Sequence, residues 1–328
     1  MTWRWVEITS CGVHMVNGSE ARGRRGVIGV VGVGAALALV ALTGPSQGGA
    51  AGSDPVVVAA GDITCAGGAT SGCGEQDSTA LLIKRIAPKR VLPLGDLHYG
   101  GTRTAAEFKA SYGPGSKPSW GDLKSITSPT IGSHEYDGYS TAAGYFAYWN
   151  GSATAGGPAG PPSTGYYAET IGSWRLIHTN SQKGGSSSTQ LSWLKSQLAS
   201  APKCSMVLSH HPRYSSGTHG NQAQATALFA SAYAGKADVL LSANDHVYER
   251  FKPQNANAGL DGAAGVTQFV VGTGGKSLYS WGSIKPNSAF RNNSNYGVLK
   301  VTLHPASYDW AFVTIGDKVL DSGTASCH

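Results

Sequence analysis

Five apolar, strand-like runs in this chain each stop at a residue able to hold a metal ion or move a proton. Pro55 to Ala60 ends in Gly61-Asp62, and Arg90 to Leu94 ends in Gly95-Asp96, with Tyr99 three residues further on. Ser128 to Ile131 leads into Gly132-Ser133-His134-Glu135. Ser205 to Ser209 leads into His210-His211-Pro212, and Asp238 to Ser242 into Ala243-Asn244-Asp245-His246. Carboxylate is a hard ligand and imidazole a borderline one, so together they suit a composite metal site. A single aspartate after a strand is more often a turn former. Core packing gives no reason for five such endings in succession, whereas a ligand site at the carboxyl edge of an α/β sheet does.

Such residues converge only if the strands before them lie side by side and parallel. Between the runs that precede Asp62 and Asp96 lies a helical pattern from Gln76 to Ala87, with Leu81, Leu82 and Ile86 on one face. Strand–helix–strand order implies parallel pairing through a right-handed crossover, which brings both aspartates to one sheet edge. Thr104 to Tyr112 is predicted as a short helix, and Tyr166–Thr170 with Trp174–Thr179 as a hairpin turned at Ile171-Gly172-Ser173. Helices are expected over Ser188–Ser200 and Gln222–Tyr233, and strands over Thr267–Val271, Gly297–Leu303 and Tyr308–Ile315. No repeat or second-domain boundary interrupts this pattern.

Composition limits the setting. Of the 328 residues 13% are charged and 46 are glycine, which suits an exported protein with long loops more than a cytosolic helical one. Arg22-Gly-Arg-Arg25, the uncharged run from Gly26 to about Thr43 and a small-residue exit form the parts of a secretory signal. Residues 1–51 are therefore read as a leader, with an uncleaved membrane anchor as the alternative, and 52–328 as one domain outside the cytoplasm, secreted or at the cell surface. Part of the formal charge of +6 sits in the leader, at Arg4, Arg22, Arg24 and Arg25, and the domain shows no basic helix or Arg/Lys run, so nucleic acid is not an expected partner. Cys65, Cys73, Cys204 and Cys327 are even in number. In an oxidising setting Cys65 is expected to pair with Cys73, and Cys204 with Cys327. Thiolate zinc is the rival, but the spacings match no structural zinc pattern.

Taken in order, these residues resemble the calcineurin-like metallophosphoesterases, in particular the branch like the purple acid phosphatases. The motifs are Gly61-Asp62, Gly95-Asp96-Leu97-His98-Tyr99, Gly132-Ser133-His134-Glu135, His210-His211-Pro212 and Ala243-Asn244-Asp245-His246-Val247-Tyr248-Glu249-Arg250, across about residues 55–328. The resemblance implies a four-layer αββα sandwich: two mixed β-sheets flanked by helices, with metal ions where their loops converge. It assigns Asp62, Asp96, Tyr99 and His246 to a first ion, ferric iron or zinc, and Asp96, His210 and positions 133 and 244 to a second. His134 would protonate the leaving oxygen or bind the phosphoryl group, Glu135 would orient it, and His219 would meet the substrate, with His211 the weaker candidate.

Two positions depart from the family pattern. Ser133 stands where the family has Asn, and Asn244 where it has the first His of its last motif. Both changes fall on the second ion, which is expected to be weak, exchanged among Zn²⁺, Mn²⁺, Mg²⁺ and Ca²⁺, or absent. The function implied is hydrolysis of phosphomonoesters or small diesters by metal-activated hydroxide, in a monomer. The alternative is an impaired relative that keeps one structural metal and acts as a binding protein. Asp245 and His98 are weighed as replacement ligands that more often point away. His178 is read as a satisfied sheet histidine, Gly272 to Gly275 as a loop near the site, and Glu249 and Arg250 as braces.

Overall fold

The computed structural model describes residues 54–66, 72–101, 103–114 and 117–328; the leader expected over 1–51 lies outside the described residues. In chain order the strands are β1 (Val56–Ala60), β2 (Thr64–Cys65), β3 (Arg90–Pro93), β4 (His98–Tyr99), β5 (Tyr167–Ile171), β6 (Trp174–His178), β7 (Cys204–Leu208), β8 (Val239–Ser242), β9 (Tyr248–Phe251), β10 (Thr267–Val271), β11 (Ser288–Asn292), β12 (Gly297–Leu303), β13 (Ser307–Thr314) and β14 (Val319–Ser326). The α-helices are α1 (Gln76–Ile86), α2 (Ala105–Ser111), α3 (Ala143–Asn150), α4 (Ser181–Gly184), α5 (Ser188–Ala199) and α6 (Thr226–Ala234).

Two mixed sheets carry the fold. One has five strands in the order β14-β13-β12-β1-β3, the other seven in the order β11-β9-β10-β8-β7-β6-β5. As expected, β1 and β3 pair in parallel, with Val58 beside Val91 and Ala60 beside Pro93, so Asp62 and Asp96 leave the same edge. In the second sheet β6, β7, β8 and β10 are parallel neighbours, which sends His210 and the Asn244–His246 loop to a common edge as well.

The period of two along a strand decides how the layers stack. Leu176, Met206, Leu208, Val239, Leu241, Phe269 and Val271 face the first sheet and join its Ala59, Leu92, Leu299 and Phe312 in one core. The alternate residues Ile177, Val207, Leu240 and Val270 face outward and are covered by Leu194 and Leu198 of α5 and Leu228 and Phe229 of α6. On the far side, Ala80, Leu82 and Ile83 of α1 close over the first sheet. The architecture is thus the expected sandwich of two mixed sheets between helices.

Local chemistry sets the boundaries. Thr104 and Glu107 form a reciprocal capping box at the start of α2. The chain leaves α1 at Ala87 in a left-handed conformation, with Pro88 barring a further turn. Three expectations need correction. Leu81 is exposed, and Ile83 takes the buried place on α1. The run Ser128–Ile131 is not a continuous strand: isolated parallel bridges join Thr127 to Val91 and Thr130 to Leu94. Ala223–Ala225 is a 3₁₀ turn with Gln222 at its N-cap position, and the α-helix starts at Thr226.

Both disulfides form as expected, Cys65–Cys73 and Cys204–Cys327, leaving no thiolate for zinc among these four. The second ties the start of β7 to the chain end across a loop that, in the chain-entropy description, constrains the unfolded state by about 4–5 kcal/mol. No helix among the described residues is long and apolar enough to cross a membrane.

Candidate metal centre

Strand ends deliver the ligands, and strained backbone aims them. Asp62 after β1, Asp96 after β3 and Asn244 after β8 all have left-handed φ, at 59°, 53° and 68°. Non-glycine residues there cost about 1–2 kcal/mol each, least for Asp and Asn, so three together at one edge mark a site the fold holds in place. The loops also touch backbone to backbone. A Cβ on Gly95 would stand 2.7 Å from Gly132 Cα and from His210 Nδ1, and one on Gly132 would stand 2.3 Å from Asp96 N. Only glycine fits at either place.

Ligand atoms of Asp62, Asp96 and His210 lie within 4.8 Å of one another, all buried. Tyr99 Oη is 2.6 Å from Asp62 Oδ1, 3.3 Å from Asp96 Oδ2 and 3.2 Å from His246 Nε2. Two backbone carbonyls fix the imidazoles. His210 Nδ1 is 2.9 Å from Leu94 O, and His246 Nδ1 is 2.8 Å from Ser277 O. A carbonyl only accepts, so each Nδ1 carries the proton and each Nε2 turns its lone pair inward, as metal-binding histidines do. His210 Nε2 is 3.1 Å from Asp96 Oδ2, yet it is buried without an aligned hydrogen bond. Three acceptors thus surround one phenolic proton, and His210 Nε2 adds a further buried acceptor beside Asp96. That excess of buried acceptors fits a cation and little else.

Proton affinities tell the same story. Burial, with help from the Asp96 charge, pushes Asp62 up to about 7 against the pull of His210. Burial also works to raise Asp96, but His210 and then His134 outweigh it and hold this carboxyl well below its usual range. Burial opposes charge on His210, and Asp96 reverses it, lifting the imidazole to about 9. Protons are standing in for a metal charge. Burial drives His246 down to about 4, which keeps its nitrogen free to ligate.

The second half of the edge is poorer. Ser133 Oγ sits 3.3 Å from both oxygens of Asp96, and Asn244 gives its main-chain N–H to Asp62 Oδ2 at 3.0 Å. His134 donates its main-chain N–H to Asp96 Oδ1 at 2.8 Å, and its ring packs 4.4 Å from that of Tyr99. Glu135 requires a correction. It is fully buried and accepts from Gly132 N, Asp96 N and Leu97 N at 2.7, 3.0 and 2.8 Å. It pins the Asp96 loop and does not reach the His134 ring.

The group that orients His134 is Asp137, whose Oδ2 lies 2.5 Å from Nδ1. Arg103, 4% exposed, clamps the pair by donating to Asp137 Oδ2 at 2.8 Å and to His134 O at 3.0 Å. Sequence reading missed both, although the three-residue step from His134 to Asp137 was visible. If the site is hydrolytic, Asp137→Asn is expected to lower kcat about tenfold, with metal content unchanged by elemental analysis. Equal kcat in the variant would remove Asp137 from this role.

The remaining candidates separate cleanly. His219 is exposed and its ring is edge-on to Tyr279 at 5.3 Å, while Tyr279 stacks on His246 at 3.8 Å. Asp245 turns away from the centre and braces that loop, accepting from His219 N at 2.7 Å and Ser215 Oγ at 2.6 Å. His98 bonds Ser111, His211 bonds Ser181, and His178 bonds Thr130 and stacks on Tyr167. Glu249 holds Ser216 and Arg250 holds Asp321, both as braces. Gly272 packs against Asp62 and Asp245, so the glycine-rich loop does border the centre.

No protein-family model and no curated protein matches this sequence. Solved structures do. The purple acid phosphatase PPD1 from yellow lupin seeds is 18% identical with a TM-score of 0.66, over 84% of this chain and 54% of that one. This chain therefore spans about half the length of the lupin protein. GAP50, the anchor in the inner membrane complex of Plasmodium, is 15% identical with a TM-score of 0.60, over 84% of this chain and 90% of that one. PhoD is 11% identical with a TM-score of 0.53, over 84% and 68%. Identities this low speak for architecture and not for activity. With two mixed sheets, flanking helices and ligands gathered at the strand exits, the chain has the calcineurin-like metallophosphoesterase fold.

Proposed function

We propose that this chain is an exported, metal-dependent phosphoesterase acting on phosphomonoesters or small phosphodiesters. The observation that carries the proposal is the buried excess of acceptors on Asp62, Asp96, Tyr99, His210 and His246, set directly beside His134. Asp62, Asp96, Tyr99 and His246 would hold the first ion, ferric iron or zinc. Asp96 and His210, with Ser133 and Asn244, would hold a weaker second ion: zinc, manganese, magnesium or calcium. Bound metal supplies positive charge at the phosphoryl oxygens and acidifies water.

The chain's own residues do the rest. His134 carries a proton toward the leaving oxygen, and Asp137 keeps its ring turned for that transfer. Glu135 fixes the backbone on which Asp96 sits. His219, exposed and edge-on to the Tyr279 that stacks on His246, would meet the phosphoryl group. Two disulfides fit an extracytoplasmic protein. We take it to be secreted or held at the cell surface, and to work as a monomer.

One observation favours the second reading, a metal-binding protein with impaired chemistry. Ser133 Oγ hydrogen-bonds Asp96 instead of extending past it, so it adds little to a second ion. Elemental analysis of the purified domain, together with hydrolysis of 4-nitrophenyl phosphate, decides between them. Turnover with one to two metals per chain, lowered about 10²–10³-fold by His134→Ala with metal retained, supports the esterase. One metal without turnover supports the binding protein, and no metal sinks both.

A further inference from the structure

The turn that carries His134 also borders an open cleft of about 620 Å³. Tyr136 forms one wall, and it belongs to the same single 3₁₀ turn as His134. Two residues span at most about 7 Å, so the wall lies within a side chain's reach of the proposed proton donor. The start of α4 lines the cleft beside it. There Ser181 Oγ bonds His211, next to the ligand His210, while Asn180 holds Tyr136 Oη at 2.8 Å and Thr164 O at 2.9 Å. Tyr136 and α4 are therefore tied to each other, and through His134 and His211 to the segments that carry the candidate ligands.

Its lining has one chemical character. Serine and threonine side chains, Ser140 and Thr164 among them, alternate with tyrosine, and Lys183 is the one charged residue in the lining among the described residues. Its Nζ is held 5.1 Å over the Tyr136 ring. Hydroxyls beside an aromatic face suit a polyol, and an ammonium group with no carboxylate beside it in that lining suits an anion.

We propose that this cleft receives the leaving group of the ester, and that this group is a polyol bearing a second anionic substituent, carboxylate or phosphate, which Lys183 pairs with. The proposal rests on the phosphoesterase reading. Hydrolysis at the metal edge then leaves the polyol, with its anion, in the cleft and the phosphate at the centre. Neutral alcohols of the same skeleton make the hydroxyl contacts but not the ion pair.

The test uses the purified domain and two matched pairs of probes, glycerol phosphate against phosphoglycerate, and fructose phosphate against fructose bisphosphate. The readout is the ratio of kcat/KM within each pair. Lys183→Glu is expected to lower the preference for the anionic member about tenfold, because an attraction becomes a repulsion of similar size. Lys183→Arg should hold the ratio within about twofold of the parent, since it keeps the charge. The pair with the larger change tells whether carboxylate or phosphate is preferred. Turnover of all four esters with ratios indifferent to Lys183 overturns the subsite alone. No turnover of any ester by the parent protein sinks the phosphoesterase reading, and the subsite with it.

Discussion

Replacing Glu135 by alanine is expected to lower stability by about 3–5 kcal/mol and to empty the metal centre. Three buried backbone N–H groups, on Gly132, Asp96 and Leu97, converge on this one carboxylate. Each unsatisfied buried donor costs about 1–3 kcal/mol. For a domain of this size the midpoint of thermal unfolding should fall by on the order of 10 °C. Asp96 is aimed by that same loop, so metal content should drop with it. Glu135→Gln separates bracing from catalysis. Its amide oxygen can take the place of Oε2 and keep Gly132 N and Asp96 N, which leaves Leu97 N facing an NH₂. The expected cost is about 1–2 kcal/mol, one donor lost out of three. Loss of turnover in the Gln variant with full stability and full metal would restore the catalytic role that sequence reading gave to Glu135.

Why that role was misread is a matter of helical geometry. Residues 134–136 form a 3₁₀ turn, in which side chains three apart eclipse and adjacent ones diverge. Asp137 therefore comes back over His134, while Glu135 points into the protein. Sequence adjacency favoured the wrong acid. The strand-end ligands, by contrast, were legible, because a polar residue that ends an apolar run needs a reason and parallel strands supply a common edge. The cysteine pairing was legible from number and setting. Strands β9, β11 and β14 were not. Ser288–Asn292 and Val319–Ser326 are half-exposed edge strands with few apolar residues, held by their pairing with β9 and β13 more than by their own composition. Leu81 and Ile83 are equally apolar, and only the way α1 crosses the first sheet decides which is buried.

Placing at 133 and 244 the residues that the family resemblance leads one to expect there should have the largest effect on function. The double variant Ser133→Asn, Asn244→His is expected to bring metal content to two per chain and to raise turnover of a phosphomonoester by about 10²-fold or more. Both positions accept the change. Ser133 has ordinary helical φ and ψ of −80° and −42°, which asparagine adopts without strain. Asn244 has φ of 68°, a region in which histidine is enriched among non-glycine residues. The longer Asn side chain carries its oxygen past Asp96, where Ser133 Oγ now stops at 3.3 Å. An imidazole at 244 replaces a weak amide donor with a strong one, while the main-chain N–H to Asp62 Oδ2 stays in place. Calorimetric titration with Zn²⁺ or Mn²⁺, run on the parent and both single variants, measures the two contributions separately. Because both ligands would serve the same ion, their effects should be more than additive. A parent protein that already binds two ions tightly would show instead that other groups complete the second position, and the double variant would then gain nothing.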